Sequence, residues 1–251
     1  MGRLNRNWLD PIFSDGYLIS FPNDNTEWRV GAKISEKCDY LMAKEYPGVL
    51  EKDLCESQAV YHCRQTAGPE VGREAIMKIR MQVPTKYPKN PDPKERAKEA
   101  AKKLGPWTAN EINNLTDLNA KGCSVTPKLL TWYKFHQEDD MLVPGGYVAV
   151  LVMEKLPGMS LDSSFWEYDR EKRDKIRAAF RAALTELLSH NAEPADERLP
   201  NIHYDEENDK CYILDYEDVH PPLGDRSIPW SDSQYTYWNL AYWSFDDELC
   251  L

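Results

Sequence analysis

The order of apolar and polar residues predicts most elements of this chain. In residues 74–81, Ala75, Met77 and Ile79 alternate with Ile76, Lys78 and Arg80, the period of two that a strand requires. Residues 59–64 predict a second strand. The continuous apolar run 146–153 predicts a buried one, too short to span a membrane and closed by Pro157 and Gly158. Helical spacing appears in Ile176, Phe180, Leu184, Leu187 and Leu188, one face of a helix predicted over 168–189, with Arg170, Arg173, Arg177 and Arg181 on another face. Residues 107–118 read as a helix ended by Gly122, and 95–103 as a short helix after the Pro/Lys loop 86–94. A short strand from Ile202, an acidic tip at 205–209 and an apolar strand at 211–214 form a predicted hairpin. Near the C-terminus, Trp238, Tyr242 and Trp243 recur at helical spacing and predict a closing core; the alternative uses Trp230 and Tyr235 as pocket walls for an aromatic or cationic substrate. Residues 1–47 show no readable pattern.

The hairpin matters because of what flanks it. Asp196 stands five residues before Asn201, and Asp215 ends the second strand. By itself this spacing is common in an acidic chain. With a strand, a turn and a strand between Asn201 and Asp215, it has the order in which kinase-fold enzymes place a catalytic Asp, a metal-binding Asn and a second metal-binding Asp. Lys78, alone on an apolar strand, resembles the lysine that meets the α- and β-phosphates of ATP. Glu111 on the following helix is either its acidic partner or the third residue of a capping box opened by Thr108.

On these residues, together with the segment 153–158 as a hinge, the chain from about Cys55 onward looks like a fungal member of the protein-kinase-like and aminoglycoside-phosphotransferase-like superfamily. The resemblance implies an α+β, two-lobed kinase-like fold with a truncated helical C-lobe. Residues 1–47 would be an N-terminal extension, 48–157 a β-rich N-lobe with one main helix, and 158–251 the reduced C-lobe. It implies ATP and Mg²⁺ as cofactors, with Asn201 and Asp215 holding the metal, Lys78 and Glu111 serving the nucleotide, and Asp196 as the base for a small hydroxyl-bearing substrate.

Departures from the family pattern bear on activity. Residues 52–58, where a glycine-rich phosphate loop is expected, contain no glycine, and side chains there hinder the approach of backbone amides to a phosphate. Pro194-Ala195 precedes the catalytic Asp in place of His-Arg, and Glu217 stands where the glycine of Asp-Phe-Gly would be; small-molecule phosphotransferases share both differences. With 36 residues after Asp215 and no Ala-Pro-Glu, a small acceptor is expected rather than a peptide.

Composition narrows the partners. A net charge of −11 over 251 residues argues against DNA and against nonspecific nucleic-acid binding. Arg173, Arg177 and Arg181 are the local exception, a candidate RNA or phosphate contact. They keep open a second class, since fungal arginine-containing cyclodipeptide synthases are similarly small proteins and act on aminoacyl-tRNA; a resemblance to them would put this helix against the acceptor arm. A pseudokinase acting by contact is the third class. Six cysteines without C-x-x-C spacing predict reduced thiols rather than a zinc site or disulfide framework. The N-terminus lacks an apolar signal region, and Arg6 stands where a myristoylation motif has Ser or Thr, so a soluble cytoplasmic protein without a membrane partner is expected.

Overall fold

The computed structural model describes residues 7–220, 230–243 and 249–250, the side chains of His220, Trp243, Leu249 and Cys250 excepted. The chain divides into two compact units, 1–109 with 129–155, and 110–128 with 156–251.

The first unit is a six-stranded antiparallel sheet. Its strands are β1 (Leu18–Phe21), β2 (Thr26–Leu41), β3 (Leu54–Ala67), β4 (Glu74–Val83), β5 (Leu129–His136) and β6 (Tyr147–Glu154), in the order β1-β2-β3-β4-β6-β5. β1 and β5 come into contact at the two ends of that order, where Asn23 Nδ2 donates to the Trp132 carbonyl at 3.2 Å, so the sheet curls toward closure. The predicted alternation in β4 holds. Ala75, Met77, Ile79, Met81 and Val83 enter one core with Val148, Val150 and Val152 of β6. That core also takes in Leu9, Phe13, Ile19, Phe21, Trp28 and Val30, so much of the stretch without a readable pattern is structural. β2 escapes a period-two reading because its register against β3 shifts between Val30 and Lys33 and again before Ser35.

A short helix α1 covers Pro93–Ala97, capped by Asp92, whose side chain accepts from the Lys94 amide. The expected helix over 95–103 stops there although Lys-Glu-Ala-Ala-Lys-Lys favours helix. The Gln82 amide captures the backbone beyond it, its Nε2 donating to the Glu99 carbonyl at 2.7 Å and its Oε1 accepting from the Ala101 amide at 2.8 Å. Tertiary bonds override propensity there.

Helix α2 covers Pro106–Ala120. Gly122 ends it with φ +77, the left-handed value glycine adopts without strain. In the second unit α3 covers Arg170–Ser189, capped by Asp169 on the Lys172 amide. Its predicted apolar face is buried, and Arg170 pairs with Asp174 at 3.6 Å. A small sheet joins β7 (Met159–Ser160), β9 (Ile202–Asp205) and β10 (Lys210–Ile213), while β8 (Glu193–Pro194) pairs with β11 (Val219–His220). Helix α4 (Ser233–Tyr237) follows. Trp238 is fully buried against Phe180, and Trp230 and Tyr235 pack on each other and on the same ring rather than standing as pocket walls; Tyr242 is exposed, contrary to the expected closing core. No helix among the described residues is long and apolar enough to cross a membrane.

Candidate active site

Backbone pairing places the acidic residues of the second unit. Val219 pairs with Pro194, and the Ala195 amide donates to the Asp218 carbonyl at 3.0 Å, which fixes Asp196 beside the segment 215–217. The hairpin β9–β10 starts from Ile202 opposite Ile213, and the Leu214 amide donates to the Asn201 carbonyl at 2.8 Å. Asn201 is thereby set next to the residue that precedes Asp215. Asp215 itself has φ +68, a left-handed conformation that Asp tolerates better than most residues.

The side chains complete the arrangement. Asn201 Nδ2 donates to the Asp196 carbonyl at 2.8 Å and to Asp196 Oδ2 at 3.0 Å, which commits its donor side and leaves Oδ1 as the ligating atom. Arg198 Nη2 lies 2.5 Å from Asp196 Oδ2 and 4.0 Å from Asp215 Oδ2. Asp196 Oδ2 thus has one hydrogen-bond donor and one ion-pair partner, whereas Oδ1 has no hydrogen bond among the described residues. Arg198 went unnoticed in the sequence, where the motif draws attention to Asp and Asn alone. Its guanidinium bridges two carboxylates and would meet an incoming phosphoryl group bidentately.

Glu111, Asp215 and Glu217 each offer a carboxylate oxygen, and these lie within 4.8 Å of one another. Glu217, read from the sequence as a departure, is an added oxygen donor. The backbone here is held by α2, since Asn114 Nδ2 donates to the Tyr216 carbonyl at 2.9 Å and Asn110 Nδ2 to the Glu217 carbonyl at 3.4 Å. Tyr216 is buried with its hydroxyl on the Ile213 carbonyl at 2.9 Å, and burial pushes that phenol well above its ordinary pKa. The capping-box alternative for Glu111 fails. α2 begins at Pro106, so Thr108 lies inside its first turn, and its hydroxyl donates to Glu56 Oε2 at 2.5 Å instead of capping the helix.

In the first unit Lys78 is buried on β4 between Val60 of β3 and Leu151 of β6. It shares its face with Arg80, paired with Glu56 at 2.9 Å, and with Gln82. Of the segment 52–58 expected to hold the phosphate loop, residues 54–58 are instead part of strand β3. The actual β2–β3 connection is 42–53, and it does contain a glycine, Gly48, with φ +77. Part of its backbone is held internally: Ala43 N donates to Asp53 Oδ1 at 2.9 Å, Glu45 N to the Met42 carbonyl at 2.9 Å, and Leu50 N to the Tyr46 carbonyl at 3.0 Å. Tyr46 and Leu50 pack against Leu41, Leu54 and Tyr147. A connection fastened this way is less able to reshape itself around a phosphate.

Three arginines of α3 lie over an aromatic ring: Arg173 over Trp166, Arg177 over Phe165 and Arg181 over Trp230. Arg177 is buried, its Nε donating to the Leu240 carbonyl and its Nη1 to Asp174, both at 2.8 Å. It serves the core of this unit and is withdrawn from the proposed RNA contact.

No family model and no curated protein matches the chain. Solved structures that resemble it include the Cydia pomonella granulovirus kinase, with 15% identity over 71% of this chain and 60% of that one at a TM-score of 0.41. WbdD, described as a bifunctional kinase-methyltransferase, shares 17% identity over 85% of this chain at 0.46, and vaccinia related kinase 3 shares 12% over 82% at 0.39. The chain spans 38% of WbdD and 52% of vaccinia related kinase 3.

Proposed function

We propose that the second unit carries the metal and acid–base half of a kinase-like phosphotransferase, moving the γ-phosphoryl group of Mg·ATP to a small hydroxyl-bearing acceptor. One observation carries this: Asp196 and Asn201 are hydrogen-bonded to each other, with Arg198 bridging Asp196 and Asp215. The donor set fits a hard cation, since Asn201 Oδ1 and the carboxylates of Asp215 and Glu217 are all oxygen ligands. A bound Mg²⁺ would neutralise phosphate charge.

The chain's own residues do the remaining work. Asp196 Oδ1 orients the acceptor hydroxyl and takes its proton, while the Arg198 and Asn201 bonds to Oδ2 fix the rotamer of the carboxylate. Arg198 offsets charge on the phosphoryl oxygens in flight. Lys78 is the residue the kinase pattern assigns to the α- and β-phosphates. A small acceptor is in keeping with Pro194-Ala195 and Glu217, departures shared with small-molecule phosphotransferases, and with the lack of an Ala-Pro-Glu sequence.

A second function is favoured by the fastened 42–53 connection, held by internal hydrogen bonds and by Tyr46 and Leu50 against an apolar patch: a pseudokinase that binds nucleotide weakly and acts by contact. Isothermal titration with Mg·ATP followed by a phosphate-transfer assay over hydroxyl-bearing metabolites separates the two. Binding with turnover supports phosphotransfer; binding without turnover on any acceptor supports the pseudokinase.

A further inference from the structure

A second group of ligating side chains lies where α2 and α3 end, built on two helix terminations of the same kind. After α2, the Gly122 amide donates to the Asn119 carbonyl at 3.1 Å and the Cys123 amide to the Leu118 carbonyl at 3.0 Å. After α3, the Asn191 amide donates to the Leu188 carbonyl at 2.9 Å and the Ala192 amide to the Leu187 carbonyl at 3.3 Å, with Asn191 at φ +58. Both are the paired-bond cap in which a left-handed residue ends the helix. The first cap sets Cys123 just beyond Gly122. The second sets His190 as the last residue before Asn191, one turn after Glu186 on the same face of α3.

Cys123 Sγ, a Glu186 carboxylate oxygen and a His190 ring nitrogen lie within 4.8 Å of one another. We propose that Cys123, Glu186 and His190 bind a transition-metal ion of the zinc class, fastening the turn after α2 to the last turn of α3. Thiolate, imidazole and carboxylate are the three ligand types zinc takes, and three protein ligands with an open fourth position is a known arrangement for it. A tetrahedral zinc holds its ligand atoms roughly 3.3–3.6 Å apart, from its usual bond lengths, so side-chain rotation closes the present spacing.

Two features besides the ligand set favour a cation. The site lies at two helix C-termini, whose exposed carbonyls carry partial negative charge. Glu186 is already oriented from behind, Oε1 accepting from the Ser124 amide at 2.5 Å and Oε2 from the Ser124 hydroxyl at 2.9 Å, the kind of outer support that positions metal ligands. Each carboxylate oxygen keeps a second lone pair for the ion. Lys210 Nζ is also near, donating to the Ser124 carbonyl at 3.0 Å. On binding, the Cys123 thiol proton leaves to solvent and the thiolate coordinates. Metal at this position would steady α2, which holds the Tyr216 and Glu217 backbone through Asn114 and Asn110.

The test uses chelator-treated full-length protein in excess Mg²⁺, titrated with Co²⁺ and, separately, Zn²⁺. The proposal expects a thiolate-to-cobalt absorption band saturating at one equivalent and a rise in melting temperature with Zn²⁺. Cys123→Ser should abolish the band, and His190→Gln should weaken binding at least about tenfold, the range seen when a metal site loses a partner. Absence of the band in wild type overturns the proposal. So does a band of equal strength in Cys123→Ser or in His190→Gln, which would assign it to other thiols such as Cys38 and Cys55, whose sulfurs lie 3.4 Å apart. If Cys123→Ser does not fold, His190→Gln decides alone, because His190 is half-buried at a helix end and Gln is tolerated there.

Discussion

The segment 193–217 and the β2–β3 connection 42–53 are both irregular, and they use their polar groups in opposite ways. In the first, backbone pairing through Ala195 and Leu214 leaves side chains free to converge, so Asp196, Arg198, Asn201 and Asp215 meet. In the second, several backbone amides donate to carbonyls of the same loop or to Asp53, and Tyr46 and Leu50 fasten the loop to an apolar patch. Under the proposed function, the first would supply metal and acid–base groups, and the second is not a flexible glycine-rich loop. The difference teaches that the two halves of nucleotide chemistry can diverge separately within one chain.

The strongest way to break this contrast is Asp215→Asn. It removes one carboxylate ligand and should take metal-dependent turnover to the background, a loss above about 10³-fold, while the protein stays folded. Retained turnover would remove Asp215 from the metal site.

Next in size is Gly158→Ala. A Cβ there would stand 2.0 Å from the Tyr204 carbonyl oxygen, at φ +93, so β7 cannot keep its pairing with β9. Denaturant unfolding should show a loss above about 3 kcal/mol, in the range of severe backbone conflicts. Asp196→Asn should lower turnover by roughly 10²-fold, worth about 2.7 kcal/mol, with Mg·nucleotide affinity little changed, because the base acts in the transition state.

Gly48→Ala sharpens the same comparison from the other side. Gly48 has φ +77 but nothing within 4 Å of an added Cβ, so only the left-handed strain remains, about 1 kcal/mol by melting analysis. The smallest effect belongs to Glu111→Gln. The change keeps the shape of a buried side chain and removes its charge, so stability should fall by no more than about 1 kcal/mol, while Mg²⁺ titration shows weaker binding. A larger stability loss without a metal effect would assign Glu111 to the core alone.

What was legible in the sequence follows from the range of the interactions involved. β4 and α3 were readable because local periodicity decides their buried faces, and Asp196 with Asn201 because a five-residue spacing is short enough to fix their hydrogen bond. The 95–103 helix failed because Gln82, more than a dozen residues away, captures the backbone at Glu99 and Ala101. Glu111 was ambiguous for the same reason: its approach to Asp215 and Glu217 spans over a hundred residues. β2 hid behind its register shifts, and the phosphate-loop segment was misplaced because β3 begins at Leu54, earlier than its most apolar stretch suggests. Arg177 looked like part of a solvated stripe because spacing cannot show the Leu240 carbonyl that buries it.

The central claim is that Asp196, Asn201 and Asp215 form a working metal–nucleotide site despite the fastened 42–53 connection. Calorimetric titration of wild type and Asp215→Asn with ATP, with and without Mg²⁺, tests it most directly. The account predicts Mg²⁺-dependent binding by wild type that Asp215→Asn loses. No nucleotide binding by folded wild type at any Mg²⁺ concentration, or equal binding by both proteins, would contradict it.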